Sequence, residues 1–429
     1  MLRRRMPLLA FCIGVSRLFG QTPSSSSEIV RLIQQSFEQN REILVAEQRV
    51  AEARGLLRQA GVRPAATVES TAASGRPLGT KGEEEFAVGY FQPIETGGKR
   101  PKRVLVAEKA LELAEAELAE RKRQLAYDIK TRYIDAVAAK EKVEAIDRIV
   151  AINRESYRLV DARVQRDDAA PIERQLLLVE LNRTEAQRAT TVGQAQSAQS
   201  ELLRTIAVNV NGPVMTLAKA NVLPPVAASL EDIRRQALES RSDLRAMRTL
   251  SSQAAAELDL AEALGRPDLT VSAQYARRYS QFEDPLRTTG SGPLLLQDRD
   301  NILTLGISIP LQTRKRNQGN VEAALARQTA VKFRREHLEL TIPIEVEAAW
   351  RRYQAARNTV AILNRGVLDE SEKNLSVIRQ AYNLGQLRLL DVLNEQRRLL
   401  ETQLGYIDSE AELARSVAEL ERAAGGELQ

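Results

Sequence analysis

The chain has 429 residues with a formal net charge of +5, 43% apolar, 4% aromatic and 28% charged residues. One cysteine and one histidine leave no material for a disulfide scaffold or for a zinc or copper site of ordinary ligation. So much charge with so few aromatics suits long helices better than a globule around one large core.

Arg3-Arg4-Arg5, an apolar stretch from Pro7 to Val15 and Phe19-Gly20-Gln21 have the order of a secretory signal, predicted over residues 1–20. Its apolar core is too short to cross a bilayer as a helix. The segment holds four arginines and no acid, so its removal lowers the formal charge from +5 to +1 and takes Cys12 away. Phe11 stands where a lipoprotein signal needs a small residue before its cysteine. The remaining near-neutral chain is not expected to bind nucleic acid. It carries no P-loop, G-x-S-x-G, HExxH or Rossmann fingerprint, and no cofactor or enzymatic activity is expected.

A polar leader, Ser24 to Ser27, precedes a helix from Ile29 to about Gly61, with Ser27 and Glu28 as its cap. Period-two alternation then marks a hairpin over 65–94, with turn residues Gly75, Pro77, Gly79 and Gly82 between its strands. Long helices are predicted at 101–163 and 172–207, separated by a short break from Asp167 to Pro171. Residues 209–230, with Gly212, Pro213, Pro224 and Pro225, read as an irregular equatorial linker.

From 231 the pattern repeats: helix, hairpin over 269–311, long helices at 318–383 and 390–424. Leu269, Val271, Ala273 and Tyr275 share one strand face, and Leu303, Leu305, Ile307 and Ile309 share the corresponding face of the returning strand. Pro285, Gly290, Gly292 and Pro293 make Ser280 to Asp300 read as a long exposed loop. Sixty helical residues at about 1.5 Å each would run on the order of 100 Å. Leu393, Leu400, Ile407 and Ala414 recur every seven residues, a coiled-coil seam.

The two halves, 21–208 and 231–429, match in detail. Gln92-Pro93-Ile94 with Lys99-Arg100 answers to Ile309-Pro310-Leu311 with Arg314-Lys315-Arg316, and Tyr133, Ala136, Ala139 and Val143 answer to Trp350, Tyr353, Ala356 and Val360. Tyr133, Trp350 and Tyr353 read as coiled-coil core, and His337 as a surface residue. Strands of about ten residues have the length of tilted membrane-barrel strands. Four cannot close a barrel alone, and an open edge in lipid leaves backbone groups unpaired, so membrane strands would require sister chains. A dimer supplies eight strands and a trimer twelve; a small soluble sheet on a helical stalk is the competing reading.

The element order, the strand ends, Gly97-Gly98-Lys99-Arg100, Arg316-Asn317-Gln318-Gly319 and Gly385 followed by Leu390-Asp391-Val392-Leu393 resemble the TolC-like outer-membrane efflux proteins, most of all the heavy-metal efflux branch. The resemblance implies a mainly α fold with a small β part. It further implies a homotrimer with a twelve-stranded barrel in outer-membrane lipid and a coiled-coil helical tunnel in the periplasm. The chain would then be a passive exit duct, coupled through a periplasmic adaptor to an inner-membrane pump. A periplasmic coiled-coil adaptor or structural protein is the alternative, although nothing like the flanking lipoyl-like and barrel domains of adaptors is present.

By the same resemblance, the breaks between long helices are adaptor-contacting tips. Val164, Asp167, Asp168, Ala169, Pro171 and Ile172 would form the first, and Tyr382, Leu384, Gly385, Gln386 and Leu387 the second. Asp167 stands where the family has glycine, and Glu173 where it has aspartate. Asp391 and Asn394 would lie at the periplasmic aperture, the asparagine replacing a second acid. An acid at a helix start is also stabilised by the dipole alone. Lys99-Arg100 and Arg314-Lys315-Arg316 read either as lipid head-group contacts or as solvated helix starts.

Overall fold

The computed structural model describes residues 25–78, 83–206, 226–289, 292–311 and 317–428. The signal segment, most of the equatorial linker and the Arg314-Lys315-Arg316 run lie outside the described residues. What is described is mostly helical with one small antiparallel sheet.

The first half runs α1 (Ser25–Gln39), α2 (Arg41–Ala60), β1 (Thr67–Ser74), β2 (Glu83–Ile94), α3 (Lys99–Val164) and α4 (Pro171–Ile206). The second runs α5 (Leu230–Ser240), α6 (Ser242–Leu264), β3 (Leu269–Thr289), β4 (Gly292–Ser308), α7 (Gln318–Leu363), α8 (Val367–Asn383) and α9 (Leu389–Ala424). The helix expected from Ile29 to Gly61 is therefore two. Asn40 takes an extended conformation, and its side chain accepts the Glu42 N–H at 2.8 Å, capping the new start. Arg241 makes the same single-residue break between α5 and α6, with ψ 126°.

α3 is an unbroken helix of 66 residues, about 100 Å long. The helix expected at 318–383 is not its equal, because it stops at Leu363 and resumes at Val367. Gly366 sits at φ 104°, in the left-handed region that a side chain resists, and Asn364 closes the preceding turn. The Asn-Arg-Gly sequence carries this stop signal, but the apolar spacing runs through it unchanged.

The sheet order is β1-β2-β3-β4, with every neighbouring pair antiparallel. The expected loop from Ser280 to Asp300 is instead hairpin: Ser280 pairs with Asp298 and the ladder continues to Thr289 opposite Gly292. Pro285 is accommodated where the register shifts between Asp284 and Thr288, a bulge in which no ladder donor is needed. Alternation fails as a signal there because both faces carry polar residues beyond Tyr279, while backbone pairing continues in register.

Among the described residues there is no single large core. Buried side chains form separate clusters strung along the helices, including one around Ile233, Ile342, Tyr353 and Leu420 and another around Ile129, Tyr133, Leu202 and Ile206. Tyr133 and Tyr353 are fully buried, and Trp350 packs against Tyr353 with ring centroids 5.7 Å apart.

Candidate functional site at the helical tips

α3 and α8 end in the same turn. Asp168 N–H donates to the Arg163 carbonyl at 2.9 Å and Asp167 N–H to Val164 at 3.1 Å; Gln386 N–H donates to Ala381 and Gly385 N–H to Tyr382, each at 2.9 Å. These paired bonds define a Schellman closure in which the residue after the helix is left-handed. Gly385 has φ 75° and Asp167 φ 60°, the one non-glycine residue at positive φ among those described. Aspartate is among the few side chains that tolerate this region, so the departure from glycine leaves the turn intact.

Around these turns Asp167, Asp168, Pro171 and Gln386 are exposed, with Ile172 56%, Leu384 74% and Leu387 38% accessible. Val164, Ala169 and Tyr382 are half-buried. Val160, Leu177, Leu389 and Leu393 form a buried cluster against which Val164 and Tyr382 pack, so the two tips are joined by an apolar contact. Apolar side chains are thus left in solvent at both turns.

Two polar ties reinforce that contact. The Tyr382 hydroxyl donates to Glu173 Oε2 at 2.9 Å, and burial, then the Glu173 carboxylate, pushes its pKa up to about 12. The longer side chain that distinguishes Glu173 from aspartate supplies this link. Two turns along α4, Glu180 accepts from Arg397 Nη2 at 3.0 Å and Nε at 3.2 Å, with the carboxylate side chain 9% accessible. Sequence reasoning missed both ties. Their only trace is a pair of acids seven residues apart on one face of α4.

Asp391 is exposed and its carboxylate accepts the Arg388 N–H at 3.0 Å, capping α9. Asn394, one turn on, is also exposed. His337 is at the surface. Among the described residues, no group of three or more His, Cys, Asp or Glu is placed to hold a metal ion. No described helix is long and apolar enough to cross a membrane.

At the junction between sheet and helices, Lys99, Arg100 and Arg103 are engaged by protein groups. Lys99 is 5% accessible and its ammonium donates to Asp268 at 2.7 Å. Arg100 Nε donates to the Gly61 carbonyl at 2.7 Å, and Arg103 Nε to that of Ala60 at 3.0 Å. The two arginines satisfy carbonyls at the C-terminal end of α2, and Lys99 ties the start of α3 to the residue before β3. Neither a lipid-binding nor a merely solvated role fits Lys99, because such roles need an accessible ammonium.

A family model described as Outer membrane efflux protein matches residues 32–208 and 233–426. The cobalt-zinc-cadmium resistance protein CzcC of Cupriavidus metallidurans is 25% identical over 317 residues, 73% of this chain and 71% of that protein. The crystal structure of CusC superposes with a TM-score of 0.74 at 18% identity, covering 95% of this chain and 96% of the other. VceC from Vibrio cholerae superposes with a TM-score of 0.69 at 19% identity, over 94% and 97%.

Proposed function

The chain belongs to the outer membrane efflux protein family, and on that premise we propose that it is the trimeric outer-membrane exit duct of a tripartite efflux system. The family consists of transport channels, so the protein is not an enzyme. The observation that carries the finer reading is the sheet. Its cross-strand rows Val68–Tyr90–Ala273–Leu305 and Gln92–Val271–Ile307 are largely apolar, and Leu305 and Ile307 are 75% and 70% accessible. The opposite face carries Glu69–Gly89–Gln274–Thr304 and Phe91–Ser272–Gly306. Among the described strands, β1 and β4 are the edges of the sheet. An apolar face belongs in lipid, where open edges are forbidden, so copies must close the sheet. Three copies give twelve strands and place three pairs of tips at the far end of an approximately 100 Å helical wall.

Each chain would comprise a signal over 1–20, repeats over 21–208 and 231–429, and a linker over 209–230. The matching tip turns, the single-residue breaks at Asn40 and Arg241 and the helix-ending Gly61 and Gly265 support descent from one duplicated unit. The exposed residues around Asp167 and Gly385 form the adaptor contact. Asp391, with Asn394 beside it, lines the aperture while also capping its helix. The likeness to a cobalt-zinc-cadmium resistance protein supports a place in the heavy-metal branch. The match along both halves favours a duct over a periplasmic adaptor. Purified in detergent, the protein should have the mass of a trimer and conduct ions in planar bilayers, with conductance rising in Asp391→Ala. A monomer soluble without detergent would refute this reading.

A further inference from the structure

We propose that Arg277 and Arg299, on the apolar face of the sheet, form a site for the phosphate groups of an outer-leaflet lipid. The inference rests on the reading of that face as lipid-exposed. Arg277 lies between Phe86 and Asn301 in its cross-strand row, and in the next row Glu84 and Arg299 flank Tyr279. Arg277 and Arg299 are thus diagonal neighbours on adjacent strands, with Cβ atoms about 7–8 Å apart, a spacing at which two guanidinium groups can share one phosphate. Both are exposed.

Their height places them at the head groups. Ile309 and Arg299 are ten residues apart on the same strand line. At about 3.3 Å per residue and a tilt of about 40°, this corresponds to a rise of about 25 Å, the height of the lipid-facing band of a membrane barrel. Tyr275, one row below Arg277, directs its hydroxyl to Asn301 Oδ1 at 2.7 Å, away from the apolar rows, as an aromatic ring does at a lipid boundary. The Arg299 guanidinium lies 5.7 Å from the centre of the Tyr279 ring, which orients it without neutralising it.

Charge is sorted between the faces. Glu69, Glu83, Glu85, Asp298 and Asp300 lie on the polar face, where Arg278 pairs with Glu85 at 3.0 Å. On the apolar face the described strands up to the bulge at Asp284 carry Arg277, Arg299 and two acids, Glu84, diagonal to Arg277 and two strands from Arg299, and Glu283, two rows beyond that of Arg299 toward the hairpin end. A pair of cations beside a tyrosine at the upper edge of an apolar band complements a phosphorylated lipid and not a neutral one. At the opposite end of the sheet, Lys99 and Arg100 are already engaged by protein groups.

The test titrates the detergent-purified full chain with diphosphoryl lipid A, fully dephosphorylated lipid A and inorganic phosphate, scoring binding by native mass spectrometry and channel insertion in planar bilayers. Near-surface arginines attract anionic lipid individually, so Arg277→Ala/Arg299→Ala should bind the diphosphoryl form roughly thirty-fold more weakly. The dephosphorylated form should bind the wild type as poorly. Arg277→Lys/Arg299→Lys should retain much of the binding, and Arg278→Ala, one residue away on the other face, all of it. An unchanged preference in the double alanine variant, an equal loss in Arg278→Ala, or displacement of the lipid by equimolar inorganic phosphate would each overturn the inference. A wild type that inserts and conducts without distinguishing the lipids defeats this site alone; one that never enters a bilayer defeats the duct as well.

Discussion

Replacing Tyr382 by phenylalanine removes one oxygen and one contact, the 2.9 Å hydrogen bond to Glu173 that ties the tip of α8 to the start of α4. A hydrogen bond to a charged acceptor contributes about 1.5–3 kcal/mol where it is well shielded. Both side chains here are half-buried, so screening lowers the expected contribution to about 1–2 kcal/mol. If that tie holds the tips together, its loss multiplies the ratio of parted to joined tips by roughly five- to thirty-fold. Alkali tests the same bond. The phenol titrates at about 12 in the folded chain against about 10 when free, so the neutral hydroxyl is favoured by folding. The tie is therefore complete below about pH 10 and lost as pH climbs through about 12. In single-channel recordings, Tyr382→Phe should have a higher open probability at neutral pH, and the wild type should approach it between those limits. A Phe variant that remains trimeric, conducts as the wild type does and shows the same alkaline rise would refute the assignment.

Asp167→Gly should raise thermal stability by up to about 1 kcal/mol, since it relieves a left-handed side chain, whereas Gly385→Ala should lower it by about 1–2 kcal/mol; calorimetry of both variants tests the opposite signs. Arg397→Ala strands the buried Glu180 carboxylate and should cost about 2–3 kcal/mol, less than a fully enclosed pair because the arginine is 38% accessible. The double change Glu180→Gln/Arg397→Ala should recover part of that loss in denaturant titration. Lys99→Ala should expose the sheet–helix junction to limited proteolysis, while Arg314→Ala serves as a comparison at the corresponding place in the second half.

Much of the architecture was legible because the same pattern is written twice. Tyr133 and Tyr353 occupy the buried positions that helical spacing assigns them, and the tips fall where Asp167 and Gly385 interrupt long apolar periodicity. Failures came where backbone geometry and side-chain pattern diverge. Residues 280–289 continue β3 although their alternation is gone, because ladder hydrogen bonds do not require apolar partners. The stop at Gly366 was hidden by an apolar spacing that passes over it. Lys99 read as a surface cation because its partner, Asp268, lies far away in sequence and is brought close only by the junction. The Tyr382–Glu173 and Arg397–Glu180 ties join different halves of the chain, and no local rule reaches that far.

The buried side chains are distributed in small, separate groups along the length of the helices. Such a wall can loosen at one level without melting at another, since each group answers mainly to its own neighbours. The lowest group, around Leu177 and Leu393, can come apart while the packing around Tyr133 and Tyr353 keeps the upper staves aligned. Amide exchange should accordingly proceed from that end upward, and in the proposed trimer the aperture would then work at little cost to the rest of the cask.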